Sequence, residues 1–156
     1  METPARFGHG DQTPERLRSQ FSRLLVGTAG HADRIVTEAL AEVGARKYHF
    51  AVLAALDEFG SSSQAELSDR TGVYRSDLVA TINELADAGH VRREPDPGDR
   101  RRNVVTMTEA GAERRERLAA ILAGADEAIL APLEADEREQ LTGLLRRLLG
   151  HLAGRG

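Results

Sequence analysis

The sequence predicts a mainly α-helical protein with one small β-hairpin, and three observations predict it. Apolar residues recur at three- and four-residue steps through most of the 156-residue chain. Gly44, Gly60, Gly72 and Gly89 stand where these patterns stop or turn. Between His90 and Met107 the pattern changes to two short extended runs. These flank Pro95-Asp96-Pro97-Gly98-Asp99-Arg100, a segment with the composition of a turn.

Residues 1–12 read as a flexible arm, with Phe7 as their only large apolar side chain. Thr13 suits an N-cap and Pro14 the first helical position, where its preset φ helps and its missing N–H costs nothing. Leu17, Phe21, Leu24, Thr28, Ile35, Ala39 and Val43 then trace one amphipathic face over about thirty residues, closed by Gly44. Such a helix outruns a small core, so part of its stripe is expected to meet a second subunit. A second helix is expected from Ala45 to Phe59, with Tyr48, Val52, Leu53, Leu56 and Phe59 inward. Ser61 and Ser62 read as a loop. Ser63 and Glu66 have capping-box spacing and should open a short helix, Gln64 to Arg70. After the Thr71-Gly72 turn, a fourth helix runs from Arg75 to Ala88 with Leu78, Ile82 and Leu85 inward.

Strands are expected at 90–94 and 103–107. Thr108 should then cap a long helix whose first turn carries Glu109, where the macrodipole favours a negative charge. Pro132 bends or ends that helix. A last helix follows with Leu141, Leu144, Leu145, Leu148, Leu149 and Leu152 on one side. The organisation read from this is an arm (1–12), an N-terminal dimerisation helix (13–44), a central domain (45–111) and C-terminal dimerisation helices (112–156).

Composition removes several kinds of chemistry. With no cysteine there can be no disulfide, thiolate metal site, thiol nucleophile or thiol redox switch. His31 and Asp33 are two residues apart and do not share a helix face, and no His-Glu-x-x-His spacing occurs, so no metal or other cofactor is expected. The serines at 61–63 lack a nucleophile-elbow pattern, which argues against a hydrolase. No apolar run reaches membrane-spanning length and the first dozen residues lack a secretory apolar stretch, so a cytoplasmic protein is expected. Net charge is −4, so any affinity for nucleic acid must be local.

A local source exists. Two helices joined through Thr71-Gly72-Val73 have helix-turn-helix form. The hairpin beside them, residues 91–103, carries five arginines (92, 93, 100, 101 and 102) against three acids (94, 96 and 99). A basic hairpin after a helix-turn-helix is a winged-helix arrangement, with arginine available to phosphates and a minor groove.

The segment Gln64-Ala65-Glu66-Leu67-Ser68-Asp69-Arg70-Thr71-Gly72, continuing through Arg75-Ser76-Asp77-Leu78-Val79 and Ile82-Asn83-Glu84-Leu85, resembles the MarR family of bacterial winged-helix transcription regulators. The wing, Asp96-Pro97-Gly98-Asp99-Arg100-Arg101-Arg102-Asn103, running on to Thr108-Glu109-Ala110-Gly111, carries the resemblance most specifically. It implies a winged helix-turn-helix flanked by terminal dimerisation helices, and a homodimer that reads an inverted-repeat operator in double-stranded DNA. It also implies repression relieved by a small phenolic or carboxylate ligand, and a structural pair between Asp99 and Arg101. Tyr74 and Ala80 depart from the pattern, since members often carry Ser or Asp at the first and Arg at the second.

The expected DNA contacts are Arg75, Ser76, Asp77 and Thr81 on the recognition helix, with Arg92, Arg100, Arg101 and Arg102 on the hairpin. Arg75 suits bidentate recognition of guanine and Ser76 a phosphate. A ligand pocket is expected among Leu24, Thr28, His31, His49 and Val52, which combine apolar and polar groups. The competing reading is a winged-helix protein-interaction module whose arginines contact an acidic protein.

Overall fold

The computed structural model describes residues 13–155, so the expected arm lies outside the described part. The element order is α1 (Glu15–Arg18), α2 (Phe21–Ala41), α3 (Lys47–Phe59), α4 (Gln64–Thr71), α5 (Arg75–Asp87), β1 (Val91–Pro95), β2 (Asn103–Met107), α6 (Glu109–Leu130) and α7 (Ala135–Ala153).

The N-terminal helix departs from expectation. Pro14 is the residue before α1 (φ −54°, ψ 138°) and not its first helical member, and Thr13 stands outside. Ser19 closes α1, its hydroxyl donating to the Glu15 carbonyl at 2.9 Å. Gln20 is extended (φ −71°, ψ 117°), and α2 starts afresh at Phe21. The expected continuous helix is therefore two helices. α2 runs unbroken through Gly27 and Gly30, although glycine is a poor helix former and Gly27 and Leu40 are the residues it buries.

One core holds α2 to α6 together. Leu40, Val52, Leu53, Leu67, Leu78, Ile82 and Leu118 are fully buried and come from α2, α3, α4, α5 and α6. Each such side chain contributes about 1.5–3 kcal/mol by leaving water. The three- and four-residue spacing in the sequence is what brings them onto facing stripes.

β1 and β2 pair antiparallel with Val91 opposite Met107 and Pro95 opposite Asn103. The segment before α4, expected as plain loop, also joins this sheet. Ser62 N–H donates to Val105 O at 3.1 Å, and Val105 N–H donates back to Ser62 O at 2.8 Å. Ser62 is fully buried, with its hydroxyl donating to Gly60 O at 2.8 Å and accepting from Arg70 Nη1 at 2.6 Å. The wing is thus tied at its base to the start of α4.

The capping box forms as expected. Glu66 N–H donates to Ser63 Oγ at 3.2 Å, and Ser63 N–H donates to a Glu66 carboxylate oxygen at 2.7 Å. Those bonds hold the Glu66 carboxyl below its usual pKa, the Ser63 backbone N–H first and the Ser63 hydroxyl next, with Arg102 and Arg70 adding to them. Ser63→Ala should therefore lower stability by about 1 kcal/mol, read by urea unfolding. An unchanged midpoint would mean that Glu66 carries the cap alone.

α7 stands apart energetically, because none of its residues is buried. Leu141, Leu144, Leu145, Leu148, Leu149 and Leu152 all remain exposed, Leu149 at 71%. Leu17, Phe21, Leu24 and Ile35 on α1 and α2 do the same.

Candidate nucleic-acid interface

α4 ends at Gly72, whose φ of +70° turns the chain sharply into the next helix. Ser68 Oγ donates to Val73 O at 2.8 Å and fixes the exit from that turn. α5 then buries Leu78, Thr81, Ile82 and Leu85, which turns Ser76, Val79, Ala80 and Asn83 outward and leaves Arg75 and Asp77 exposed at its start. Tyr74, the residue before α5, is 79% exposed, and its side chain caps nothing. The first turn of α5 is thus an uncovered helix N-terminus carrying an arginine, a serine and an aromatic ring, which suits base edges and phosphates.

Thr81 does not belong to this surface. It is 1% exposed and its hydroxyl donates to Asp77 O at 2.8 Å, so the expected DNA contact at Thr81 is withdrawn. Position 81 falls between Leu78 and Leu85 on the inward stripe, and the internal bond satisfies its one polar atom.

The second half of α5 is held from two sides. Arg93 on β1 donates to Asn83 Oδ1. On the other flank, Arg46 Nη2 donates to Glu84 Oε2, and His49 Nε2 stands 2.6 Å from the same oxygen. His49 Nδ1 accepts the Arg46 backbone N–H at 3.1 Å, so Nε2 carries the proton and donates it to Glu84. The Glu84 carboxyl is held below its usual pKa, most strongly by the His49 hydrogen bond and then by Arg46. Nearby His90 is shifted down by burial first and then by the Arg114 cation. Nothing in the local sequence signals this clamp, because its partners are 35 and 38 positions apart.

On the wing, Asp96 N–H donates to Arg102 O at 2.7 Å and closes the turn, while Gly98 N–H donates to Asp96 Oδ1 at 2.9 Å. The arginines differ in their surroundings. Arg101 is 94% exposed, with its Nε 3.3 Å from Asp99 Oδ1, the pair that the resemblance implied. Arg102 lies 3.4 Å from both Glu66 and Asp96 and so leans back towards α4. Arg92 pairs with Glu94 along its own strand, which cancels much of its charge. Among the described residues Arg75 and Arg100 form no ion pair, so their charge is unspent.

The five expected ligand residues do not gather as expected. Val52 is fully buried in the core. His49 has a side chain only 12% exposed, with both ring nitrogens engaged by Arg46 and Glu84. Leu24, Thr28 and His31 lie exposed along α2. Val52 and His49 are therefore withdrawn as pocket groups, the first by packing and the second by the clamp. A cavity of about 280 Å³ lies elsewhere, lined by Thr37, Ala41, Ala45, Arg46, Lys47 and Tyr48. Among the described residues no cluster of His, Asp or Glu could hold a metal ion, and no helix is long and apolar enough to cross a membrane.

Known proteins share both sequence and architecture with this chain. The MarR family model matches residues 44–102. The HTH-type transcriptional repressor NicR of Pseudomonas putida is 30% identical over 139 residues, covering 89% of this chain and 88% of that protein. The PcaV transcriptional regulator of Streptomyces coelicolor, solved in complex with its natural ligand, is 26% identical with a TM-score of 0.73, covering 86% of this chain and 94% of that one. Mutant MarR from E. coli, solved with operator DNA, is 26% identical with a TM-score of 0.71, covering 82% of this chain and 92% of that one. Helix-turn-helix, basic wing and end-to-end similarity agree: the chain belongs to the MarR family of transcriptional regulators.

Proposed function

We propose that this chain is a homodimeric repressor that binds an inverted-repeat operator and leaves it when a small organic ligand binds. It works in the cytoplasm and catalyses no reaction. The observation that supports this best is the uncovered start of α5, with Arg75 unpaired, beside a wing that offers Arg100 unpaired. Arg75, Ser76 and Asp77 face base edges and phosphates, and Arg100, Arg101 and Arg102 meet the backbone or minor groove. Arg92 plays a lesser part because Glu94 neutralises it. α7 and the exposed stripe of α1 and α2 form the dimer interface, and the two-fold axis sets the operator symmetry.

The test is salt-dependent binding to the intergenic DNA beside the chain's own gene, followed by footprinting. The expected footprint is an inverted repeat with half-site centres about 10–10.5 bp apart, or a multiple of that. Binding that ignores sequence and salt, together with capture of an acidic protein by the wing, would favour the protein-interaction reading instead.

Two substitutions separate the parts of the interface. Arg75→Ala should cost about 1–3 kcal/mol on the selected operator and little on random DNA. An equal loss on both would make Arg75 a phosphate contact. Arg100→Ala removes two phosphate contacts per dimer, so the slope of log affinity against log salt should fall by about 1.8. Arg101→Ala should do more, because it also uncovers Asp99 beside the phosphates. Unchanged affinity and slope for both wing variants would take the wing off the DNA.

A further inference from the structure

Beyond its first turn, the outward face of α5 offers methyl groups where hydrogen-bonding groups would be expected. Leu78, Thr81, Ile82 and Leu85 point into the core, which places Ser76, Val79, Ala80 and Asn83 on the other side. Val79 is 43% exposed. Asn83, the one amide on this face, has its Oδ1 taken by Arg93, so it does not offer adenine a donor and an acceptor together. Glu84, at the edge of the face, is held back by Arg46 and His49. Polar reach is thus confined to the first turn, with Arg75 and Ser76, while the second turn presents only the methyls of Val79 and Ala80.

We propose that Val79 and Ala80 read the 5-methyl group of a thymine in each operator half-site. The proposal rests on the DNA-binding reading and adds to it two specificity-determining residues and the base they select. Thymine is the one base of unmodified DNA that shows a methyl in the major groove; the other three show donors or acceptors there. A polar edge set against Val79 and Ala80 would lose its water and gain no partner, so the same two side chains that favour thymine also disfavour its competitors. Both are rigid. Valine has one strongly preferred rotamer in a helix and alanine has no rotamer to lose, so little freedom is given up on contact. The bonds to Asn83 and Glu84 hold α5 from both flanks and so present these methyls in a fixed position. Val79 lies four residues beyond Arg75, about 6 Å along the helix axis, against a spacing of about 3.4 Å between stacked bases. The thymine is therefore expected within about two base pairs of the contact made by Arg75.

Deoxyuridine is the probe, because it removes the 5-methyl of thymine and leaves every hydrogen-bonding group in place. Symmetric thymine pairs in the footprinted operator are replaced one pair at a time, and the affinity of the full chain is read by fluorescence anisotropy. Replacing the contacted pair should weaken binding about fifteenfold, at about fourfold for each methyl lost. Val79→Ser changes an exposed helix position and leaves the core untouched. This variant should bind the thymine operator about as weakly as the parent binds the deoxyuridine one, and should lose most of its own preference for thymine. A damaged fold would instead weaken both operators alike. Equal affinity of the parent for thymine and deoxyuridine at every pair overturns the proposal. So does a thymine preference that Val79→Ser keeps in full, or a footprinted half-site without thymine. Failure of the parent to bind any operator would instead defeat the regulator reading, and it would show before a single thymine is replaced.

Discussion

Gly111→Ala should destabilise the protein by about 3 kcal/mol, even though alanine is the better helix former by about 1 kcal/mol. Gly111 sits in the first turn of α6, directly against the end of the recognition helix's exit loop. A Cβ there would overlap the carbonyl oxygen of His90 and lie 2.9 Å from Met107 Cγ. The methionine can move, but the carbonyl cannot easily do so. It accepts the Thr108 N–H at 3.0 Å, while Thr108 Oγ1 donates to Gly89 O at 2.6 Å and accepts the Gly111 N–H at 3.1 Å. One methyl would therefore disturb three bonds that cap α6 and tie its start to the loop ahead of β1. A melting temperature roughly 6–12 °C lower is expected at equal protein concentration, since each kcal/mol moves a domain of this size by about 2–4 °C. DNA binding should fall with it, because the same bonds position the wing. A variant that melts like the parent would mean that the junction is looser than its hydrogen bonds suggest.

That junction illustrates what was legible in the sequence and what was not. Gly111 was visible there only as part of a familiar wing-to-helix string, because the close approach that requires glycine comes from a carbonyl 21 residues away. Features set by neighbouring residues were readable. Ser63 and Glu66 cap α4 because capping depends on a three-residue spacing, and the inward stripe of α5 follows from Leu78, Ile82 and Leu85. Thr81 was readable too, since it lies on that same stripe. The helical period that places Leu78, Ile82 and Leu85 inward places Thr81 inward with them, and its hydroxyl is spent on Asp77 O. The break at Ser19 and Gln20 was hidden because Leu17 and Phe21 keep their spacing across it, with no Gly or Pro at the break. The bridge from Ser62 to Val105 and the clamp of Arg46 and His49 on Glu84 carry no local signal at all. Such long-range partners decide which of the polar residues near α5 are free to meet DNA and which are already committed to holding it.

Leu145→Glu combined with Leu149→Glu should turn the protein into a folded monomer with little operator binding. The two side chains are four residues apart on one face of α7, and neither is buried within the protomer. A dimer through this face covers what remains exposed of four leucines, two of them 42% and two 71% exposed in the protomer, worth about 3–7 kcal/mol at about 1.5–3 kcal/mol per fully buried leucine. Replacing them with carboxylates forfeits that term and sets like charges against one another. A loss of that size weakens association by about two to five orders of magnitude, and the like charges add to it, so monomer is expected at micromolar concentration. The core survives, because Leu40, Leu53, Leu67, Leu78, Ile82 and Leu118 are all buried inside one protomer. Circular dichroism should therefore report a helical protein while sedimentation reports half the mass. A monomer reaches only one half-site, so the salt slope on operator DNA should fall to about half of its parent value, since the slope counts phosphate contacts. Retention of the dimer by the double variant would place the interface on α1 and α2 alone. Loss of the dimer with operator affinity intact would separate dimerisation from DNA recognition and remove the reason to expect an inverted repeat.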